Sequence, residues 1–463
     1  MMSLPESTRS DPTPPSSTSP EMIGARIDRL PHGRFQRRVL ICTVLAFIFE
    51  IGDQNAAGLT ASAIRDRFDT DLTGIAFAVS AMYLGLLVGA VLAGQGDRFG
   101  RRFMIITGMV SMSLFSGVSA MSTGIVMLVL VRFLTGIGLG LIYISIVVYL
   151  SEVFPVRRRA FAVGLGIGIA ALGSIGLTQL ARVVVPWGEH GWRIVFLVGL
   201  LGLLAVPVCS KLPESPRWLA ARGRGEEADA TLRELEREAE ERHGPLPEPQ
   251  LPEKSPGLED SPKDAATRSL FQGKMLVSLI MLMVVWICYS LAMQVMNTWT
   301  PTVLSLRGFS DAEALSTTSQ LLVGSLIGSA VAITVGDRLP RRGGIILFTG
   351  LAALAMLTFG LSGSHLIIVL AGATVHFTIG AGTPLLNAYA AERFPPHLRS
   401  RGSGFSYSVG RFTNVIAPFT IAGVLEALGY KSVAWGGFAA WGLIALTVLV
   451  LGARRGRPSA PIE

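Results

Sequence analysis

The sequence predicts an all-α integral membrane protein with twelve spanning helices, arranged as two pseudo-symmetric six-helix bundles. Three observations predict it. Charged residues make up 16% of the 463 positions and apolar residues 50%, where an ordinary soluble domain carries roughly 25% charge. The apolar residues gather into twelve long runs almost free of charge. Two charged motifs of the first half return in the second half, both 240 residues later.

An apolar run of about 18 residues or more can cross the ~30 Å hydrocarbon core as a helix, which satisfies its own backbone hydrogen bonds where no water can. On that rule spans fall at 39–61, 74–95, 103–121, 125–149, 160–184 and 192–210. A second set follows at 274–299, 318–336, 344–362, 365–389, 402–425 and 432–452. Arginine marks alternate connections: Arg34, Arg37 and Arg38 before the first span, Arg98, Arg101 and Arg102 after the second, and Arg157, Arg158 and Arg159 after the fourth. Arg338, Arg341 and Arg342 follow the eighth, Arg399 and Arg401 the tenth, and Arg454, Arg455 and Arg457 the twelfth. By the positive-inside rule both termini are cytoplasmic. The net charge of +8 thus reports topology in the lipid bilayer and calls for no nucleic-acid partner.

The expected organisation is a disordered cytoplasmic tail over 1–36, a six-helix bundle over 37–210, a cytoplasmic linker over 211–273, a second bundle over 274–452 and a cytoplasmic tail over 453–463. The first twenty residues are rich in Ser, Pro and Thr and lack the apolar core of a signal peptide. In the linker, 226–242 has Ala228, Leu232 and Leu235 at helical spacing among charges. That helix either braces the halves or is a solvated spacer. Residues 245–262 are dense in Pro and acids and are expected to be disordered. Cys42, Cys209 and Cys288 all lie within apolar runs without disulfide-framework or metal-type spacing, so they read as small buried residues.

The repeated motifs are Gly96-Asp97-Arg98-Phe99-Gly100-Arg101-Arg102, returning as Gly336-Asp337-Arg338-Leu339-Pro340-Arg341-Arg342. Tyr149, Glu152, Phe154, Pro155 and Arg159 return as Tyr389, Glu392, Phe394, Pro395 and Arg399. Two halves facing the same side, related by an axis along the membrane normal, explain both.

At these residues the chain resembles the major facilitator superfamily of secondary transporters over nearly all of its length. The first motif is similar to that superfamily's best-known signature, with Ala93 in place of the usual first glycine and Ile333 and Pro340 at glycine positions of the second copy. Arg132, Gly136, Gly138, Gly140, Tyr149, Glu152, Pro155 and Arg159 resemble the fourth-helix signature of sugar and organic-ion porters, and Pro213-Glu214-Ser215-Pro216-Arg217-Trp218-Leu219 is shared with the same branches. The tail lacks the Pro-Glu-Thr-Lys-Gly of sugar porters, and the seventh span carries only Gln294 and Asn297 where they have a double-Gln motif. Asn297-Thr298-Trp299-Thr300-Pro301 and the stretch 402–418 look instead like aromatic-acid:proton symporters and niacin-type carriers. The resemblance implies alternating access, and the Arg-rich, Lys-poor composition with short loops points to a bacterial inner membrane. Asp97, Arg98, Arg101, Arg102, Glu152, Arg159, Asp337, Arg341, Glu392 and Arg399 would then form a cytoplasmic gate that latches in one state. Gly136-x-Gly138-x-Gly140 and Gly164, Gly166 and Gly168 do not follow strands, so they are read as helix-packing glycines and not as a dinucleotide loop.

A buried charge near the bilayer centre costs about 2.5–3.5 kcal/mol on insertion scales and therefore points to function. Asp53, about 14 residues into the first span, is about 21 Å from its cytoplasmic edge; Arg132, in the oppositely running fourth span, is about 10 Å from the outer edge. The two depths coincide in a ~30 Å core, so an ion pair is expected. In proton-coupled relatives such a pair is linked to coupling, which the resemblance assigns to Asp53 and Arg132, with Glu50 one turn away able to share the proton. Arg411 in the eleventh span lies near the midplane, where a guanidinium offers a two-pronged fit to a carboxylate. Tyr83, Tyr143, Gln179, Tyr289, Gln294, Asn297, Trp299, His376, Asn387 and Tyr407 are further candidates for lining the substrate cavity.

The expected function is proton-coupled symport of a small organic anion, an aromatic or heteroaromatic carboxylate, by a monomer with no cofactor and no metal site. Sugar or polyol symport, drug:proton antiport and a non-transporting nutrient sensor are the rivals. An enzyme is not expected, because no catalytic cluster such as His-Glu-x-x-His occurs.

Overall fold

The computed structural model describes residues 19–31, 33–251, 270–335, 338–395 and 398–452. Among them there is no strand. Among the described residues, twelve helices are long and apolar enough to cross a membrane. They are numbered here α1 Arg34–Leu59, α2 Leu72–Ala93, α3 Arg101–Ser119, α4 Ile125–Val153, α5 Val156–Val184 and α6 Gly191–Cys209. The second six are α7 Gly273–Leu306, α8 Asp311–Val335, α9 Arg341–Leu361, α10 His365–Glu392, α11 Arg399–Leu428 and α12 Tyr430–Leu451.

Two spans run longer than hydropathy alone suggests, for different reasons. Pro301 would ordinarily break α7, because proline lacks an N–H and its ring collides with the carbonyl four residues back. Instead Val295–Trp299 forms a π-helical turn, whose wider winding relieves that collision, and the helix continues to Leu306. At α8 the first turn is polar and so escapes an apolar window. Ser310 and Glu313 cap each other there, with the Ser310 N–H donating to Glu313 Oε2 at 3.0 Å and the Glu313 N–H to Ser310 Oγ at 3.4 Å.

Each group of six packs first within itself: α2 against α4, α3 against α4 and α6, and α1 against α5. In the second six, α8 packs on α10, α9 on α10 and α12, and α7 on α11 and α12. Glycines set the closest of these crossings. A Cβ on Gly85 would lie 2.0 Å from the Phe133 carbonyl oxygen, and one on Gly136 2.0 Å from that of Met82. Gly136 and Gly140 thus pack α4 on α2, and Gly138 packs it on α3. Gly164 and Gly168 differ from expectation: an added Cβ there meets nothing within 4 Å, so close packing does not explain them.

The cysteines also depart from expectation. Cys42 of α1 and Cys209 at the end of α6 are disulfide-bonded, with Cα atoms 5.5 Å apart, and only Cys288 is a free, buried thiol. The two partners are 167 residues apart, so no spacing rule could pair them; the packing of α6 on α1 does. Denatured but unreduced protein is expected to titrate one thiol per chain with a maleimide reagent, and reduced protein all three; three thiols without reduction would refute the bond.

The stretch expected to be a disordered tail contains a helix, Pro20–Asp28, capped by Ser19; residues 1–18 lie outside the described ones. The linker helix spans Gly225–His243. Its Ala228 and Leu232 bury against Ile23 and Ile27 of the tail helix and against Trp218 and Leu219. Arg26 donates to Glu236 at 2.9 and 2.7 Å and to Asp229 at 2.6 Å. These bonds hold Asp229 below the usual carboxylate range, so the clamp is fully charged at neutral pH. Of the segment 245–262, residues 245–251 have no regular secondary structure, and the rest lies outside the described residues.

Between the two sets of six, α2 packs on α11 and α5 on α8. The contacts concentrate at the arginine-poor end. Phe77 and Phe419 meet edge to face at 4.9 Å, and a Cβ on Gly58 would lie 2.2 Å from the Thr298 carbonyl oxygen.

Candidate functional site

The sixth-helix neighbourhood of α1 and α4 holds a buried ion pair. Arg132, fully buried on α4, donates from Nη1 to Asp53 Oδ2 at 2.7 Å and from Nη2 to the Asp53 carbonyl at 2.9 Å. Nη2 also lies 2.8 Å from Met82 Sδ, and the guanidinium carbon is 5.4 Å from the Phe196 ring centre. Ser116 of α3 donates to the other carboxylate oxygen of Asp53. Two opposite charges at one depth on antiparallel helices thus meet as expected. Ser116 was not legible in sequence, since a serine in an apolar helix carries no signal of its own. One turn before Asp53, Glu50 is buried, with Oε1 accepting from Gln54 and Oε2 without a hydrogen-bond partner.

Arg411 lies between the two sets of six. Its Nε and Nη2 donate to the Tyr407 hydroxyl at 2.9 and 2.6 Å. Its guanidinium carbon sits 4.9 Å from the ring centre of Tyr143 on α4 and 5.1 Å from that of Tyr407. Gly410 beside it lets α11 approach α7: an added Cβ would lie 2.8 Å from Trp286 Cβ, and the Gly410 carbonyl accepts from Ser290 at 2.8 Å. An aromatic lattice continues from there, Tyr407 to Trp286 at 4.9 Å, Trp286 to Tyr289 at 5.6 Å and Tyr289 to Trp441 at 5.6 Å. Tyr289 also bonds Thr383. Trp286, Trp441 and Thr383 were missed in the sequence reading, where isolated aromatics look like any other helix-packing residue.

The other candidates divide. Tyr83 donates to Gln294 Oε1 at 3.5 Å across the two sets, and Gln294 Nε2 reaches the Asn414 carbonyl at 3.4 Å. Asn297 contacts only Met293 Sδ among the described hydrogen-bond partners, at 3.9 Å. Trp299 and His376 are buried, each with a ring nitrogen lacking a hydrogen-bond partner; the His376 ring lies against the Met296 carbonyl in the π turn. Gln179 and Asn387 are exposed and make no described hydrogen bond.

At the arginine-rich end, the motif charges pair within each set of six. Arg101 bonds Glu152 at 3.0 Å, and Arg341 bonds Glu392 at 2.8 Å. The Arg159 Nε donates to the Phe154 carbonyl at 3.0 Å, and Arg98 lies 5.5 Å from the Phe99 ring. Asp337 lies outside the described residues. Glu214, absent from the expected gate, caps α3: its carboxylate accepts from the backbone N–H groups of Arg101 at 2.9 Å and Arg102 at 3.3 Å. Its place in the Pro-Glu-Ser-Pro-Arg motif was the signal that could have found it. Among the described residues no cluster of His, Cys, Asp or Glu could hold a metal ion.

The fold and these motifs are shared with known proteins. The chain is 31% identical over 409 residues to the protein YyaJ of Bacillus subtilis, covering 88% of this chain and 90% of that one. It is 26% identical over 405 residues to the niacin transporter NiaP of Acinetobacter baylyi, covering 87% and 90%. The solved structure of the xylose transporter XylE of E. coli, in a partially occluded inward-open conformation, superposes with a TM-score of 0.72 at 18% identity, covering 89% and 96%. The family described as "Sugar (and other) transporter" matches residues 41–453. With twelve spanning helices and that match over most of its length, the chain belongs to this family of major facilitator transporters and is a multi-pass membrane transporter, not an enzyme.

Proposed function

We propose that this transporter takes up a small aromatic or heteroaromatic carboxylate together with protons, across a bacterial inner membrane, as a monomer with both termini in the cytoplasm. The observation that carries the reading is Arg411: a guanidinium deep between the two bundles whose described hydrogen bonds go only to the Tyr407 hydroxyl, framed by the faces of Tyr143 and Tyr407. Such a group can take a carboxylate on Nη1 and the remaining N–H of Nη2 while the rings stack on a flat substrate. The similarity to a niacin transporter supports the same chemistry.

Proton coupling is assigned to Asp53, with Arg132 as its partner and Glu50 as a second carrier. Protonation of Asp53 removes the charge that holds Arg132, so the pair can open and the bundles rock around the site. The driving force is about 2.3 kcal/mol per charge per 100 mV, plus about 1.4 kcal/mol per pH unit. Arginine placement supports a cytoplasmic arginine-rich end. With the bundles touching at the other end, the conformation then faces inward. Asp97, Arg98, Arg101, Arg102, Glu152, Arg159, Asp337, Arg341, Glu392 and Arg399 are assigned to the cytoplasmic gate, with Glu214 added as the cap that seats α3.

Uptake into proteoliposomes with an internal pH dye and an inward proton gradient tests the reading. Benzoate and nicotinate are expected to give saturable internal acidification beyond that of protein-free vesicles, and pentoses and hexoses none. Acidification with sugars alone would overturn the substrate class and keep the coupling.

A further inference from the structure

At the arginine-poor end, among the described residues, one acid reaches from one bundle to a backbone N–H of the other. Glu426 sits in the last turn of α11, and its Oε1 accepts from the Leu72 backbone N–H at 3.0 Å. Its Oε2 lies 3.5 Å from Thr73 Oγ1. Leu72 is the first residue of α2, in the other bundle. The first N–H groups of a helix have no partner within it and carry the positive end of its dipole. Asp71, the local cap, takes only Gly74, at 2.8 Å. Glu426 supplies a second acceptor from across the interface.

The placement of Glu426 is unfavourable for its own helix. An acid in the last turn faces the negative end of the α11 dipole, and local rules favour a base there. A residue that breaks a local rule is compensated elsewhere, and here the compensation lies in the partner bundle. Glu426 itself is exposed, so its carboxylate can return to water when the contact breaks, although the bond to the Leu72 N–H is part-buried. Nearby, Phe77 against Phe419 and Gly58 against Thr298 bring the same ends together. These are apolar and steric contacts, without the direction and charge that Glu426 adds.

We infer that Glu426 is the latch that holds the arginine-poor end shut, a positioning residue for alternating access that binds no substrate. Which side of the membrane this end faces rests on the topology proposed above; the latch does not. Ser62, at this end, lines a cavity of about 160 Å³ between α1, α7 and α8, and a cysteine there reports opening. In purified protein carrying Cys288→Ala, the rate of maleimide labelling of Ser62→Cys is expected to rise roughly 3–10-fold with Glu426→Gln and further with Glu426→Lys. Glu426→Asp is expected to stay near the parent rate. A second reporter at the arginine-rich end, Ser403→Cys, one turn before Tyr407 on α11 and half-buried, is expected to label more slowly in Glu426→Gln, because closing one end accompanies opening the other. An unchanged Ser62→Cys rate with a lowered melting temperature would reduce Glu426 to a helix cap and overturn the inference. Faster labelling at both reporters would mean general loosening and overturn it too. No outcome depends on the substrate, so failure of the carboxylate reading leaves this test intact.

Discussion

Arg132→Ala is expected to leave little well-folded protein, a loss of about 3–5 kcal/mol, because it strands Asp53 as an unpaired carboxylate in a dry interior. Asp53 is 5% exposed, and its side chain keeps only Ser116 as a described donor once Arg132 is gone. The double variant Asp53→Ala with Arg132→Ala removes both charges and is expected to fold better than Arg132→Ala alone. The comparison is read as monodisperse yield on size exclusion and as melting temperature. A double variant worse than the single would mean that the pair matters through packing and not through charge. Asp53→Asn keeps the shape and a hydrogen bond to Arg132 while removing the titrating group. On the proposed mechanism it abolishes pH-driven accumulation and spares exchange of substrate across vesicles without a gradient. Accumulation that survives in Asp53→Asn moves the proton to Glu50, whose Oε2 stands unpartnered one turn away.

The second large effect is expected at Arg411. A hydrogen bond to a charged group is worth about 1.5–3 kcal/mol, so Arg411→Ala should weaken carboxylate binding roughly 10–150-fold, seen as a raised KM or a lost competition in counterflow. Arg411→Lys keeps the charge but loses the planar fork and the stacking on Tyr143 and Tyr407, so it should recover only part of the affinity. Unchanged affinity for every acid in Arg411→Ala would make the guanidinium a packing group and return the substrate question to sugars.

How much of this was legible in the sequence follows from which interactions are local. Twelve apolar runs, alternating arginines and a motif pair 240 residues apart depend only on chain order and on the cost of charge in hydrocarbon, so they gave the fold class and the number of spans. Depth is also nearly one-dimensional: a rise of about 1.5 Å per residue placed Asp53 and Arg132 at one level, and the structure joins them at 2.7 Å. Angular position around a helix and the choice of neighbour are not one-dimensional. For that reason Ser116 and Trp286 went unseen, Glu214 was named without its capping role, and Cys42 and Cys209 looked unrelated until α6 packed on α1. Glu426 shows the same limit. By itself it is a misplaced acid at a helix end, and only the approach of α2 from the other bundle supplies the free N–H that it meets. By itself the sequence determined a twelve-helix transporter with charges buried at set depths, because hydrophobic length and charge burial are properties of segments. The tertiary structure alone decided which charges meet, which end is closed and what surrounds Arg411, because those depend on contacts between segments that share no pattern.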